Sequence, residues 1–262
     1  MLIDSHCHLD RLDLKPFGGD FSRFMEQVRR EGVCHMLCVG INLDTFPRMR
    51  LLAERYPREI SISAGLHPND SKGLPLDVEK LAAFGREDKV VAIGETGLDY
   101  YRSEGDLVWQ HERFRQHIQV AKALNKPLIV HSRAAKEDTL RIWREEGAAQ
   151  VGGVLHCFAE DWDMARRALD LNLYISFSGI VTFKNAQAIQ EVARKVPEDR
   201  FLIETDSPYL APVPYRGKPN YPFYVRKVAE KIGELRGIPF ETIAEQSRTN
   251  FYRLFTLAPS PE

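Results

Sequence analysis

The chain has 262 residues, of which 44% are hydrophobic and 28% are charged. This composition is typical of a globular protein that can fill a sizeable core, and it excludes a small disulfide-stapled scaffold. Basic and acidic residues nearly balance, at 36 and 37, so the charge of the whole chain gives no sign of nonspecific binding to polyanions.

Short apolar runs rich in β-branched residues alternate along the chain with longer amphipathic runs of helical period. The predicted strands cover residues 2–8, 33–40, 59–68, 89–97, 126–133, 151–158, 173–179 and 200–208. Predicted helices lie between them, among others over residues 20–32, 43–57, 109–125 and 135–147. This alternation predicts repeated βα units and a parallel sheet.

About eight such units in a chain of this length are typical of an α/β fold of the (β/α)8 TIM-barrel type. A doubly wound open sheet is the alternative. That fold usually places a glycine-rich phosphate loop after the first strand, where this chain has "SHCHLD". No linker or internal repeat divides the sequence, so we predict a single domain over residues 1–262.

The location in the cell is predicted from the cysteines and the first residues. Four cysteines in a chain of this size are expected to be reduced thiols. The N-terminus has no basic segment followed by an apolar one, and no apolar run is long enough to span a bilayer. We therefore expect a cytoplasmic protein that does not enter a membrane.

The first predicted strand carries two histidines, His6 and His8. Residues two positions apart in a strand face the same side, so both imidazoles point the same way. Further strands end in Glu95, His131, His156 and Asp206. In this type of barrel the carboxyl ends of all strands open into one active-site mouth. The sequence therefore predicts that four imidazoles and two carboxylates converge there.

Neutral imidazole and carboxylate groups bind divalent metals well. Six such ligands exceed the needs of one tetrahedral ion, so two ions joined by a carboxylate fit the number better, with Glu95 as the natural bridge. A carbamylated lysine is another common bridge, but no lysine lies at the inner end of a predicted strand. We expect two divalent metal ions, Mg, Mn or Zn, as cofactors.

Other titratable residues are predicted to have structural roles. Cys7 and Cys157 each lie beside a proposed ligand, and strand alternation turns them away from the mouth and into the core. His111 and His117 lie on a predicted helix, where we expect solvated side chains.

A series of motifs resembles one family, the TatD-type metal-dependent deoxyribonucleases among the amidohydrolase-like barrels. The motifs run in order over nearly the whole chain: "DSHCHLD", "GLHP", "GETGLDYY", "KPLIVHSRAA", "LHCF", "YISFSG", "ETDSPYLAP" and "TNFYRLF". The resemblance implies a two-metal hydrolase that cleaves phosphodiester bonds in DNA, often from the 3′ end. It also implies that the six residues at the mouth are the metal ligands.

The carboxylates of the predicted site divide into two groups. Asp206 is expected to ligate a metal and to accept the proton of the attacking water, with Glu95 as the second catalytic carboxylate. Glu204 and Asp4 lie one step deeper on their strands. We expect them to orient ligand imidazoles, although a catalytic role for Glu204 is the alternative.

Two residues at the mouth are candidates for substrate binding. Arg133 lies two residues after His131 on the same face and can bind a phosphate; an ion pair at the rim is the alternative. His67 ends the third predicted strand and either contacts the substrate phosphate or shapes a turn. The expected partner is DNA, as a single strand or at 3′ ends.

Two other functions use the same site. One is a two-metal hydrolase of another ester, amide or lactone bond, and the other is a metal-binding module without turnover. The cationic residues Arg133, Lys184 and Arg216 argue against the first alternative, because positive charge favours a phosphate substrate. The presence of Asp206 in an open site argues against the second.

Overall fold

Eight parallel strands alternate with helices in the computed structural model, which describes residues 1–260. Pro261 and Glu262, the last residues of the predicted domain, lie outside the described residues. The strands are β1 (Leu2–Cys7), β2 (Val33–Cys38), β3 (Ile60–Ala64), β4 (Val90–Asp99), β5 (Leu128–Arg133), β6 (Gly153–Leu155), β7 (Leu173–Phe177) and β8 (Phe201–Ile203).

Each strand pairs in parallel with the next one along the chain, in the order β1 to β8. The sheet then closes between β8 and β1 just beyond the last strand. The amide of Asp206 donates to the carbonyl of His6 at 2.9 Å, and the amide of His8 donates to the carbonyl of Ser207 at 2.8 Å. The predicted (β/α)8 barrel is therefore confirmed.

Helices cover the outside of the barrel and one of its ends. They are α1 (Phe21–Arg30), α2 (Phe46–Arg55), α3 (Val78–Gly85), α4 (Val108–Leu124), α5 (Lys136–Glu145), α6 (Trp162–Leu169), α7 (Gln187–Lys195), α8 (Val225–Arg236) and α9 (Phe240–Leu254). Short 3-10 helices span Leu9–Arg11, Lys15–Phe17, Ala148–Gln150, Gly179–Thr182 and Pro222–Tyr224.

Helix boundaries follow local capping chemistry. Asp20, Asp77 and Asp161 precede α1, α3 and α6, and each carboxylate accepts a hydrogen bond from a backbone amide in the first turn. Asn125 ends α4 and Gly237 ends α8, both in the left-handed conformation that terminates helices. Among residues 1–260, no helix has the length and apolar character needed to cross a membrane.

The core has two layers. Most buried apolar residues fill the space between the barrel and its surrounding helices. A smaller cluster fills the barrel interior with inward-facing residues such as Ile129, Val154 and Leu202, and Phe251 and Phe255 of α9 pack against it. Because Ile129 and Val154 face inward, strand alternation also directs the residues two positions later into the barrel.

Candidate metal centre

All six predicted ligands lie at the carboxyl end of the barrel, above the apolar interior. Three belong to a strand, two directly follow a strand, and the sixth lies three residues beyond a strand end. They are His6 in β1, His8 after it, Glu95 in β4, His131 in β5, His156 after β6 and Asp206 after β8. The structure brings them together from five strands.

Glu95 lies in the middle of this group. Its Oε1 is 2.7 Å from His156 Nε2 and 3.2 Å from His131 Nδ1, while its Oε2 is 3.4 Å from His6 Nε2. Asp206 Oδ1 is 3.3 Å from His8 Nε2 and 3.6 Å from His6 Nε2. The two oxygens of Glu95 thus face two sets of imidazoles.

Three of the four imidazoles make a hydrogen bond that points away from the centre. The partner is the carbonyl of Val39 for His8 Nδ1 at 3.0 Å, and Asp99 Oδ2 for His131 Nε2 at 3.0 Å. His156 Nδ1 lies 3.3 Å from Glu204 Oε1. In the neutral form of each ring the hydrogen lies on the nitrogen that faces this acceptor, so the other nitrogen directs its lone pair toward Glu95 or Asp206.

His6 differs from the other three imidazoles. Its ring stacks on that of His156, with centroids 3.9 Å apart. Neither of its ring nitrogens has a hydrogen-bond partner among residues 1–260, although the side chain is buried. A buried polar atom without a hydrogen-bond partner is costly. The unpaired ring nitrogens of His6 therefore indicate that a ligand binds here.

The electrostatics of the centre favour positive charge. Burial alone would raise the pKa of Glu95, but the charge of His156 and the hydrogen bonds from His131 and His156 outweigh it and hold that pKa well below its usual range. Burial lowers the pKa of His156, but the Glu95 and Glu204 carboxylates raise it well above the usual value. A field that favours protons on imidazoles also attracts a metal cation, which competes with them.

These residues fit a divalent metal. Lone pairs of imidazole nitrogens and carboxylate oxygens converge within bonding reach of a shared cation, in a chemistry suited to Zn, Mn or Mg. Three overlapping groups have ligand atoms that all lie within 4.8 Å of one another. They are His6 with His156 and Asp206, His6 with His8 and Glu95, and His67 with Glu95 and His131.

The two deeper carboxylates have different environments. Glu204 Oε1 accepts from the amide of Cys157 at 2.8 Å and lies 3.3 Å from the imidazole of His156. Asp4 accepts instead from the amide and hydroxyl of Thr205, and its only contact with His6 is the backbone amide. The structure therefore does not place Asp4 against an imidazole. The pairing of β1 with β2 shifts register between Asp4 and Cys7, which breaks the alternation on which that expectation was based.

Arg133 lines the cleft above the centre, which has a volume of about 440 Å³. Its guanidinium lies 4.1 Å from the ring centroid of the exposed Tyr101, and no carboxylate among residues 1–260 pairs with it. Arg11 and Arg102 line the same cleft. The expected cations Lys184 and Arg216 do not line it, and the guanidinium of Arg216 lies over the ring of Phe183.

Two expectations about other residues were wrong. Cys157 lines the cleft rather than the core, because β6 ends at Leu155 and the backbone of Cys157 turns into the left-handed region with a φ of 45°. His117 is fully buried rather than solvated. Its Nδ1 donates to the carbonyl of Arg113, and its Nε2 accepts from the amide of Leu66 at 3.0 Å, so it ties α4 to the loop that carries His67.

Sequence reasoning missed Asp99 and Asn69. Asp99 is the carboxylate that orients His131, and its side chain also accepts a hydrogen bond from the Asn69 amide at 2.7 Å. A signal for Asp99 was present, because Glu95 and Asp99 lie four positions apart in "ETGLD" and share a face of an extended strand. The predicted strand ended at Gly97, whereas β4 continues to Asp99.

A TIM barrel with convergent imidazole and carboxylate groups at its carboxyl end is typical of metal-dependent hydrolases. The family model of the TatD related DNases matches residues 3–256, and the chain belongs to that family. The resemblance stated from the motifs is confirmed.

Similarity to known proteins extends over almost the whole chain. The "uncharacterized metal-dependent hydrolase YcfH" of Escherichia coli K12 is 49% identical over 260 residues, covering 99% of this chain and 97% of that protein. The hydrolase YabD of Bacillus subtilis is 42% identical, in an alignment that covers 98% of this chain and 100% of that protein. The crystal structure of the Escherichia coli TatD homologue YJJV matches with a TM-score of 0.88 and 30% identity, over 97% of this chain and 98% of that one.

Proposed function

We propose that this metal-dependent hydrolase cleaves phosphodiester bonds in DNA, as a 3′-to-5′ exodeoxyribonuclease that uses two divalent ions, Mg, Mn or Zn. The observation that carries the proposal is the guanidinium of Arg133 at the rim of the cleft, which pairs with no carboxylate in residues 1–260. Arg11 and Arg102 add positive charge to the same cleft. Guanidinium groups recognise phosphate by paired hydrogen bonds, whereas a neutral ester or amide has no use for three cations.

Each ion of the pair would be held by one oxygen of Glu95 together with imidazoles. The side of Glu95 Oε2 offers His6 and His8 with Asp206, and the side of Oε1 offers His131 and His156. When bound, such ions polarise a phosphoryl oxygen and lower the pKa of water toward neutrality.

The chain's own residues supply the remaining chemistry. Asp206 accepts the proton of the attacking water, since the neighbouring imidazoles of His8 and His6 outweigh burial and hold its pKa below the usual value, which keeps it ionised. Arg133 binds a phosphate oxygen from the rim. His67, whose Nε2 lies 3.2 Å from Glu95 Oε1, is a further group in contact with the substrate phosphate.

Single-stranded oligonucleotides labelled at the 3′ or the 5′ end test this proposal. The chain is stripped with a chelator and reloaded separately with Mg²⁺, Mn²⁺ or Zn²⁺. We expect early release of the 3′ label as a mononucleotide and stepwise shortening of the 5′-labelled strand. An RNA strand of the same sequence tests the preference for DNA.

Aryl ester, lactone and amide substrates form the other arm of the experiment. Turnover of one of these, together with intact oligonucleotides in all three metals, would contradict the phosphodiester assignment and leave a hydrolase of another bond in the same site. Internal cuts would contradict only the exonuclease assignment.

We also propose that residues 1–262 form one catalytic domain that works in the cytoplasm. The eight strands of the barrel extend from Leu2 to Ile203 as one sheet. All four cysteines are free thiols, which supports a reducing compartment.

A further inference from the structure

Asn69 lies in the loop between β3 and α3, beside two imidazoles of the metal centre. The loop turns sharply there, and the amide of Asp70 donates to the carbonyl of His67 at 2.9 Å. This turn brings the amide of Asn69 to within 3.0 Å of His67 Nδ1. Asn69 thus contacts the imidazole of His67 through its backbone.

The backbone contact fixes which end of His67 faces the cleft. Nδ1 accepts a hydrogen bond, so the ring hydrogen of the neutral imidazole must be on Nε2. Nε2 lies 3.2 Å from Glu95 Oε1 and therefore presents an N–H to the centre. His8, His131 and His156 present a lone pair instead. His67 is close enough to be a metal ligand, but its hydrogen-bond pattern is that of a donor.

The side chain of Asn69 acts on the second imidazole through Asp99. Its Nδ2 donates to Asp99 Oδ2 at 2.7 Å, and the same oxygen accepts from His131 Nε2 at 3.0 Å. The other oxygen, Oδ1, accepts from the amides of Tyr101 and Arg102. The carboxylate is thereby held by four donors, and His131 must direct the lone pair of Nδ1 toward Glu95.

A buried chain of hydrogen bonds sets the orientation of the Asn69 amide. Ser103 Oγ donates to Asn69 Oδ1 at 3.0 Å and accepts from Gln110 Nε2 at 2.9 Å. Gln110 is fully buried, and its Oε1 accepts from the amide of Asp99 at 2.9 Å. Because Oδ1 faces Ser103, the amide nitrogen of Asn69 must face Asp99.

We propose that Asn69 is a positioning residue that gives His67 and His131 opposite roles toward Glu95. Its backbone amide makes His67 a hydrogen-bond donor for a phosphate oxygen, and its side chain makes His131 a metal ligand. The inference rests on the metal centre of the proposed function, and it excludes His67 as a metal ligand although its ring lies close enough to Glu95 and His131 to be one.

The test uses the full chain loaded with Zn²⁺, a diamagnetic ion. Asn69→Ala removes the side-chain contact with Asp99. Asn69→Asp keeps the size and the acceptor for Ser103, but replaces the donor with a like charge beside Asp99. Asn42→Ala is the matched control, because Asn42 Nδ2 donates to Asp70 Oδ1 at 2.7 Å and so anchors the same loop without contacting Asp99.

Two readouts separate positioning from loop stability. The first is the Zn²⁺ dissociation constant of each ion, from competition with a chelator. We expect one ion to bind about tenfold or more weakly in both Asn69 variants, since partners that orient metal ligands contribute about 10- to 100-fold. The second ion, and both ions in Asn42→Ala, should be unchanged.

The second readout is the ¹⁵N spectrum of the imidazoles in the Zn²⁺-loaded wild type, assigned with His67→Gln and His131→Gln. We expect His67 to carry its hydrogen on Nε2 with no bound metal. A hydrogen on Nδ1 of His67, or equal losses of Zn²⁺ affinity in Asn42→Ala and Asn69→Ala, would overturn the role of Asn69 while leaving the metal centre intact. A wild-type chain that binds no Zn²⁺ would overturn the proposed function and this inference together.

Discussion

Asp206 has a left-handed backbone conformation, with a φ of 56°, three residues after the end of β8. Its amide donates to the carbonyl of His6, so the chain is fixed against β1 at this residue. Asp and Asn adopt this conformation more readily than most residues with a side chain. An Asp206→Asn substitution therefore changes the chemistry of the side chain while preserving the turn.

Asp206→Asn should separate proton transfer from metal binding. The variant should keep at least one metal through the imidazoles and Glu95, because these contacts are unchanged. We expect kcat to fall by about a hundredfold or more, in line with the contribution of a positioned general base. Metal content by elemental analysis and kcat on an oligonucleotide measure the two effects. A variant with its metals and near-wild-type turnover would exclude Asp206 as the proton acceptor.

Arg133 is suited to a charged substrate because its guanidinium is stacked on Tyr101 and has no acidic partner among the described residues. Arg133→Ala should lower kcat/KM on an oligonucleotide by about 10- to 100-fold, since hydrogen bonds to charged groups contribute about 1.5–3 kcal/mol. Most of the loss should appear in KM, unless the contact strengthens in the transition state.

Arg216→Ala is the matched control for Arg133→Ala. Its guanidinium also lies over an aromatic ring, that of Phe183 at 3.9 Å, but outside the cleft. We expect nearly unchanged kinetics from this control. If Arg133→Ala were also without effect on DNA cleavage, Arg133 would not bind the phosphate, and the observation that carries the phosphodiester assignment would be lost.

Alternation of side chains along strands was sufficient to predict where the proposed ligands lie and that Glu204 contacts an imidazole, but not the other groups that orient these ligands. His131 and His156 follow inward-facing residues at a spacing of two, so their position could be read from the sequence. Asp99 and Asn69 could not be paired in this way, because their contact joins the end of β4 to a loop 30 residues away in sequence. The burial of His117 likewise depends on a contact with Leu66, which is distant in sequence.

At the scale of elements, the pairing of β4 with β5 leaves no space for a side chain at Gly97. Gly97 has a φ of 128°, and a Cβ built on it would lie 2.0 Å from the carbonyl oxygen of His131. Only glycine permits this approach, because a backbone atom cannot move aside as the end of a flexible side chain can. The two strands carry Glu95 and His131, so this contact also sets the distance between these two proposed ligands.

Gly97→Ala should therefore damage both stability and metal binding. Relief of the contact requires β4 to separate from β5, which moves Glu95 away from His131. Gly105→Ala is the control, because Gly105 also has a positive φ, 83°, but open space around its Cα.

We expect Gly105→Ala to cost about 1–2 kcal/mol of unfolding free energy from backbone strain alone. Gly97→Ala should cost more and should also lower the Zn²⁺ content. Urea unfolding and elemental analysis measure both. Equal effects of the two substitutions would show that the contact with β5 is unimportant.

At the scale of the whole molecule, the number and order of the strands could be predicted because the apolar runs and the helical runs alternate regularly. The ends of the elements could not. Residues 151–158 and 200–208 were each predicted as one strand, but β6 and β8 have only three residues each. The remaining residues of both segments leave the sheet because contacts within the site hold them. One such contact is the hydrogen bond from the backbone amide of Cys157 to the carboxylate of Glu204.

Two buried histidines outside the metal centre connect distant parts of the barrel. His117 joins α4 to the loop after β3, with both ring nitrogens in hydrogen bonds to backbone. His35, at the other end of the barrel, contacts the carbonyl of Arg58 and the hydroxyl of Ser61. Burial lowers the pKa of each imidazole to about 4. Both are therefore neutral in the folded protein at neutral pH.

These histidines should make the fold sensitive to mild acid. The folded pKa lies below that of an unfolded histidine, about 6.5, so the unfolded chain binds protons first and stability falls as the pH drops from 6.5 toward 4. Between pH 7 and pH 5, each of the two histidines should lower the unfolding free energy by about 2 kcal/mol.

Urea unfolding of the metal-free wild type, His117→Gln, His35→Gln and the double variant at both pH values measures this loss. Each variant should lose about 2 kcal/mol less than the wild type, and the effects should add in the double variant because the two sites are at opposite ends of the barrel. Parallel pH profiles for all four proteins would show that acid destabilises the barrel through other groups.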